Sequence, residues 1–296
     1  GNNSLCTFTS TYPLNYVETQ TLLQRMGELR QNTEAKGNLW ARYYGGRLNG
    51  FQGQGVTATK MYYNGLQLGA DKNFHTAANH ESYVGILGGF TKNRTSFRVG
   101  TGKTDSYYGG VYGTFKHENG WYADAVGKYF YMDNDFDTST EGGSLVHGSG
   151  HSKGYSASLE IGKRFRWEKE QRQSGNPQGW FIEPQAQATY GRYDPSTIWT
   201  SHGLKTRLHG YDSLIGRAGG LVGYSVDLPN AGPLDMYVKA NYIREFKGNA
   251  PYTFNEACEG KYNFRGHWVE LGAGIAMQIK EIHNIYADVI YADCNN

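Results

Sequence analysis

Two kinds of side chain in this sequence have types and spacing suited to chemistry: histidines, and acids and bases that recur at every second position. Nine histidines are present, His75, His80, His117, His147, His151, His202, His209, His267 and His283, scattered over what read as turns and loops. The closest pair is HGSGH, residues 147–151. Two imidazoles are half of a zinc site, which takes about four ligands, so the tract reads as a solvated Gly-rich loop and no metal is expected. The same tract has glycines like those of a phosphate loop, but no helix follows to aim N–H groups at an anion. Cys6, Cys258 and Cys294 are too few and too scattered for a disulfide framework or a metal site, and an odd count leaves at least one unpaired. Cys258 and Cys294 fall in neighbouring loops by strand count; a bridge between them and free thiols both stay open. No catalytic residue and no cofactor are expected.

The acids and bases are more orderly. In WVELGAGIAMQIK (268–280) Val269, Leu271, Ala273, Ile275, Met277 and Ile279 alternate with wet or tiny residues. WFIEPQAQATYGR sets Glu183, Gln185, Gln187 and Thr189 against Ile182, Ala186, Ala188 and Tyr190, and SASLEIGKRFRW repeats the pattern apart from Lys163. Period-two alternation is the mark of a strand with one apolar face. If the polar faces enclose an interior, it holds Arg42, Asp71, Asp124, Lys128, Glu160, Arg164, Arg166, Glu183, Arg217, Lys239, Glu245, Glu270 and Asp288, seven acids and six bases.

The elements that must position these side chains are β. From Leu39 onward eleven tracts have strand character, and 41 Gly, 24 Tyr and only 7 Pro suit many strands joined by turns. Mean hydropathy is −0.64, and no run of about 18 apolar residues is present, which excludes a transmembrane helix. A transmembrane barrel is not excluded, since it shows lipid an apolar residue at only every second position. The tracts run to about 11 to 13 residues, against about 5 to 6 for soluble strands. Short turns HENG (117–120), NAGP (230–233) and KEIH (280–283) alternate with long polar segments at 91–105, 136–152, 194–207 and 246–264. EKEQRQSGNPQG (168–179) is long where a short turn is due. Tyr107-Tyr108, Trp121-Tyr122, Tyr129 to Tyr131 and Trp180-Phe181 sit beside strand ends and read as interfacial girdles. Net charge is +2 without a basic run, so nucleic acid is not an expected partner. No N-terminal signal pattern is visible, so a mature fragment or an excised domain is expected.

Ten phrases in unbroken order sharpen this. RMGELR, LWARYYGG, GLQLGADKNF, YVGILGGF, NGWYADAVGKYF, WFIEPQAQATY, SLIGRAG, YVKANYIREF, VELGAGIAMQI and NIYADVIYAD run from residue 25 to residue 293, within a match that covers roughly residues 17 to 293. Together they closely resemble the translocator domain of the autotransporters, type V secretion proteins of Gram-negative bacteria. The resemblance implies an all-β, transmembrane antiparallel barrel of twelve strands in the cell outer membrane, with an N-terminal α-helix in its lumen. It implies a pore that exports the protein's own N-terminal passenger and holds it at the cell surface. It also implies insertion by the barrel assembly machinery, contact with outer-membrane lipids, and a monomeric barrel.

Three segments follow: 1–13 as passenger remnant or linker, 14–33 as the helix, and 39–296 as the barrel. Only eleven of twelve strands are visible before the sequence stops at IYADCNN, so the last strand is expected to be absent from this chain, leaving two bare edges. At 1.5 Å per residue the helix is about 28 Å long, near the thickness of a bilayer core. Its Arg25, Met26, Gly27, Glu28, Leu29 and Arg30 are the expected plug, and Arg25, Glu28 and Arg30 find opposite charges in the wall. Gly27 fits a close approach of helix to wall. Some family members cut their own chain with an Asn pair ahead of the RMG motif; Gln20 and Thr21 stand there instead, so no self-cleavage is expected. Two rivals are an outer-membrane protease barrel, which needs acid and His pairs in the outer loops, and a porin, which has no reason to carry RMGELR. The His-bearing loops show no pairing at the level of sequence.

Overall fold

A computed structural model describes residues 38–53, 56–97, 100–139, 145–168, 177–200, 205–229, 232–247, 249–254, 258–263, 266–279 and 283–295. Every regular element among them is a strand. In chain order they are β1 (Asn38–Gly53), β2 (Val56–Thr76), β3 (His80–Phe97), β4 (Gly100–His117), β5 (Trp121–Ser139), β6 (Leu145–Lys163), β7 (Phe165–Glu168), β8 (Gly179–Tyr193), β9 (Ser196–Thr200), β10 (Lys205–Leu208), β11 (Tyr211–Leu228), β12 (Gly232–Glu245), β13 (Asn249–Phe254), β14 (Cys258–Asn263), β15 (Gly266–Ile279) and β16 (His283–Asn295).

Eleven strands form one closed wall in the order β1, β2, β3, β4, β5, β6, β8, β11, β12, β15, β16. Ten neighbouring pairs are antiparallel, and the ring closes between β16 and β1, which run parallel from Leu39 opposite His283 to Asn49 opposite Asp293. Strand directions alternate around a ring, so an odd number of strands must place one parallel pair somewhere. The two edges expected to be bare are therefore paired with each other, which satisfies their N–H and C=O groups.

The strands are longer than their alternation predicts. β2 has 21 residues and β5 and β6 have 19 each. The surplus lies at one end, where segments expected as loops are ladder. β3 and β4 pair out to Phe97 opposite Gly100, β5 and β6 out to Ser139 opposite Leu145, and β9, β10, β13 and β14 add a further sheet along the edge of β6. The reason is side-chain polarity: clear of lipid the outward face meets water, and the buried inward face is largely polar as well (Thr91, Asn93, Thr95, Thr104, Ser106), so little apolar–polar alternation is left to read. Cys258 and Cys294 accordingly lie in β14 and β16, not in loops. At the other end the turns are tight, as at 118–120, where Gly120 has φ +99° and its carbonyl accepts from the Arg164 N–H at 3.0 Å. Most of 168–179 lies outside the described residues.

Glycine and aromatic residues account for the inner surface together. Trp40, Tyr44, Tyr108, Tyr112, Tyr122, Phe130, Phe136 and Phe181 lie directly opposite Gly69, Gly65, Gly89, Gly85, Gly162, Gly154, Gly148 and Gly223 on adjacent strands. In each pair the ring lies over the glycine, so that a methyl group there would press into the ring. A ring laid flat along the wall needs a neighbour without a side chain. Each aromatic tract expected as a girdle is split by this. Phe181 is fully buried while Trp180 is 59% exposed, and Tyr108 is 7% exposed against 53% for Tyr107. Only the outward member of each pair stands where a girdle would.

Candidate functional site

The inner face of the wall is polar and charged, and its groups are bonded to one another across strands. At mid-height Arg217 of β11 is the centre. Its Nε donates to Gln187 Oε1 at 2.9 Å, and its Nη1 donates to Gln185 Oε1 at 3.0 Å and Asn241 Oδ1 at 2.9 Å. Its Nη2 pairs with Glu160 of β6, both side chains being buried to within 1%. Tyr122 donates to the other oxygen of Glu160 at 2.9 Å, and Asn241 donates to Glu270 at 3.0 Å. One network thus ties β5, β6, β8, β11, β12 and β15 at a single level. A guanidinium offers five donors in a fixed planar fork, against three on a lysine ammonium, so it suits bonding to several strands at once.

A second network lies towards the short turns. Arg164 Nε meets Glu183 Oε1 at 3.1 Å and its Nη1 meets Asp235 Oδ2 at 3.0 Å, with the guanidinium 3.8 Å above the Phe181 ring. Ser225 donates to Asp235 at 2.6 Å and accepts from Arg166 at 3.0 Å. On the opposite arc Asn38 and Tyr112 both donate to Asp71, at 3.0 and 2.5 Å. Above that, the Tyr44 hydroxyl meets Thr91 Oγ1 at 2.5 Å and the Tyr108 hydroxyl at 2.9 Å, and Lys128 Nζ stands 4.2 Å over the Tyr108 ring. Ser213 donates to Glu245 at 2.9 Å.

The outer face is the reverse. Leu68, Val84, Ile86, Val111, Leu159 and Leu271 are each at least half exposed; Trp121 and Trp180 are exposed at the short-turn ends of their strands, and Tyr43, Tyr107, Tyr129 and Tyr155 are exposed further along theirs, on the side of the long ladders. A closed sheet with a polar inside and an apolar band outside, rimmed by aromatic rings, is a barrel whose surroundings are lipid.

The model of the autotransporter beta-domain matches residues 39–289 of this chain.

The chain belongs to the autotransporter family.

This autotransporter β-domain is 37% identical over 284 residues to the "Probable autotransporter YcgV" of Escherichia coli (strain K12), covering 96% of this chain and 29% of that protein. It is 32% identical over 278 residues to the "Pertactin autotransporter" of Bordetella bronchiseptica (strain ATCC BAA-588 / NCTC 13252 / RB50), covering 94% of this chain and 29% of that protein. The chain therefore spans less than a third of the length of these relatives. Among solved structures, the β-domain of the Bordetella autotransporter BrkA superposes with a TM-score of 0.65 at 24% identity, over 87% of this chain and 92% of that one, a likeness of fold. As an autotransporter β-domain, the molecule is an outer-membrane barrel and the translocator part of its protein.

In the autotransporter β-domain the wall charges named from alternation are distributed as follows. Glu160, Arg217 and Glu270 meet in the mid-height network, and Arg164 and Glu183 in the lower one. Asp71 and Glu245 lie in separate clusters. Arg42, Asp124, Lys128 and Lys239 are buried on the same inner face. Sequence reasoning missed Asp235, Gln185, Gln187 and Asn241 as members of these networks, although all share the inward parity of their strands. It also missed the inward aromatics, and the signal available was the glycine on the neighbouring strand.

The plug residues Arg25, Met26, Gly27, Glu28, Leu29 and Arg30, the segments 1–13 and 14–33, and Gln20 and Thr21 lie outside the described residues. The histidine reading needs correcting. His147 and His151 are in β6, not in a loop, and four residues apart on one face of a strand places them about 13 Å from each other. Nor are they unpaired: His147 Nδ1 is 2.7 Å from Asp137 Oδ1, and His151 Nδ1 is 2.5 Å from Asp133 Oδ1 and 2.7 Å from the Tyr131 hydroxyl. Both pairs are on the outer side of the wall. Clear of the apolar band, the hydrogen bond from Arg192 at 2.8 Å holds the Asp212 carboxyl below its ordinary value of 3.8, against the opposing pull of partial burial.

Proposed function

We propose that this barrel exports its own N-terminal passenger through the lumen and afterwards anchors it at the cell surface. Residues 14–33 serve as the helix left in the pore, with Arg25 and Arg30 set against wall carboxylates, Glu28 against wall cations, and Met26, Gly27 and Leu29 against its apolar spots. The observation that carries this reading is the inner surface: acids and bases of both signs, buried on a wall that would otherwise need only water. Ion pairs in a wet lumen contribute only about 0 to 1 kcal/mol each, so several act together to seat a helix. Insertion by the barrel assembly machinery belongs to the same proposal, as does a role without catalysis, since Gln20 and Thr21 stand where self-cleaving relatives carry an Asn pair.

Planar-bilayer conductance tests it. The chain of 296 residues should pass little current, and deletion of residues 1–37 should open a steady conductance. High, steady current from the undeleted chain would sink the plug.

A further inference from the structure

The outer face of β2 to β4 changes character along each strand. On β3 the outward positions run Val84, Ile86, Gly88 and Phe90, then Lys92 and Arg94. On β4, in the same direction, Val111 and Tyr107 are followed by Asp105 and Lys103. On β2, Tyr62 is followed by Lys60. Successive outward positions are roughly 7 Å apart along a strand and roughly 5 Å apart along the membrane normal, so the cations begin one or two steps above the last ring. That is the level of lipid headgroups.

Lys60, Lys92, Arg94 and Lys103 are all exposed. Arg94 lies directly opposite Tyr62 on one side and Lys103 on the other. Like charges directly opposed destabilise a sheet, and none of these four cations makes an ion pair among the described residues. Arg47 lies over the Tyr62 ring at 5.5 Å and extends the cationic face onto β1. The acids nearest in register are Asp105, facing Lys92, and Asp135, facing Lys103. Beyond them the outward face of β5 carries Asp133 and Asp137 beside Asp135, with His151 and His147 of β6 bonded to the first two and Lys153 on the same β6 face, so the unpaired cations are concentrated on β2–β4 and the row of carboxylates on β5 bounds them.

We propose that this face binds the phosphates of a phosphate-bearing glycolipid of the outer leaflet, with the acyl chains lying on the apolar band formed by Ile86 and Val111. Charge complementarity names the headgroup; continuity of the same strands from cations through rings to aliphatics names a lipid over free phosphate. The inference rests on the barrel standing in an outer membrane, and is independent of whether a passenger is exported.

The test titrates the detergent-solubilised 296-residue barrel with bisphosphorylated lipid A and counts retained lipid by native mass spectrometry. Lys92→Gln/Arg94→Gln/Lys103→Gln should weaken retention on the order of a hundredfold, while Lys72→Gln, at the opposite end of β2, should not. Heat-modifiable migration on gels reports folding, and the single variant Arg94→Gln, expected to lose roughly fivefold, carries the test should the triple variant not fold. Conductance of the same samples reports the pore, so loss of lipid binding and loss of the export reading are told apart. Unchanged retention by the folded triple variant, equal retention of dephosphorylated lipid A, or complete displacement by millimolar inorganic phosphate would each overturn the proposal.

Discussion

The indole N–H of Trp40 on β1 donates to the hydroxyl of Tyr112 on β4 at 2.8 Å, across the two strands that separate them. The two rings, 6.1 Å apart at centroids, lie over Gly69 of β2 and Gly85 of β3. The Tyr112 hydroxyl in turn donates a hydrogen bond to Asp71. Four strands are thereby held from inside by two side chains that need two glycines to reach each other.

Replacing Gly69 should show this. In Gly69→Ala the new methyl group collides with the indole, and overpacking of this kind costs about 1 to 3 kcal/mol. Gly127→Ala, where nothing lies within 4 Å, should stay within about 0.5 kcal/mol of the parent. Urea midpoints of the folded barrel decide; equal midpoints for the two variants would remove the ring-over-glycine account.

The Arg217–Glu160 pair is buried with both partners bonded elsewhere as well. Glu160→Gln alone leaves a buried guanidinium short of its counter-charge and should cost about 3 to 5 kcal/mol. Arg217→Met in the same molecule removes the stranded charge and should recover part of the loss. A double-mutant cycle with no coupling between the two positions would show that the wall gains nothing from the pair.

The parallel seam is open to cross-linking. With Cys6, Cys258 and Cys294 changed to Ser, the pair Arg47→Cys/Tyr291→Cys, opposite each other in register, should form a disulfide within one chain, since neighbouring strands stand about 4.8 Å apart and the bond tolerates about 4.4 to 6.8 Å between Cα atoms. Placing one more strand between β16 and β1 should abolish it. If oxidation leaves the 296-residue chain unlinked, the seam is not closed in this way.

Asp212 supplies a pH dependence. Its folded pKa is lowered below 3.8, first by the Arg192 hydrogen bond, so its contribution is fully present above that value and is lost as pH falls through the folded value. Both side chains are more than a third exposed, which limits the effect to under about 1 kcal/mol. The difference in urea midpoint between parent and Asp212→Asn should narrow between about pH 5 and about pH 2. A difference that stays constant over that range would assign it to shape and not to charge.

Much of this was legible in the chain itself. Val269, Leu271 and Ile275 against Glu270 and Gln278 fixed which residues face lipid, because a strand has only two faces and each carries one kind of solvent. Glu160, Arg217 and Glu270 were named by parity alone. Parity could not say that Asn241 joins Arg217 to Glu270, since it gives the side of a strand but not the register between strands far apart in sequence. The outer ladders of β3 to β6 were missed because there polar side chains stand on both faces, buried inward and wet outward, and little apolar alternation remains.

What the amino-acid sequence determined by itself is therefore local: strand after strand, the inward and outward sets, the tight turns, and the membership that its ordered phrases imply. What only the tertiary structure decided is the ring. The parallel pairing of β1 with β16, the Trp40–Tyr112 bond over two glycines, and the convergence of six strands on one level around Arg217 and Glu160 all depend on how many strands close and at what stagger. Closure is a property of the whole sheet, and no single strand carries a signal for it.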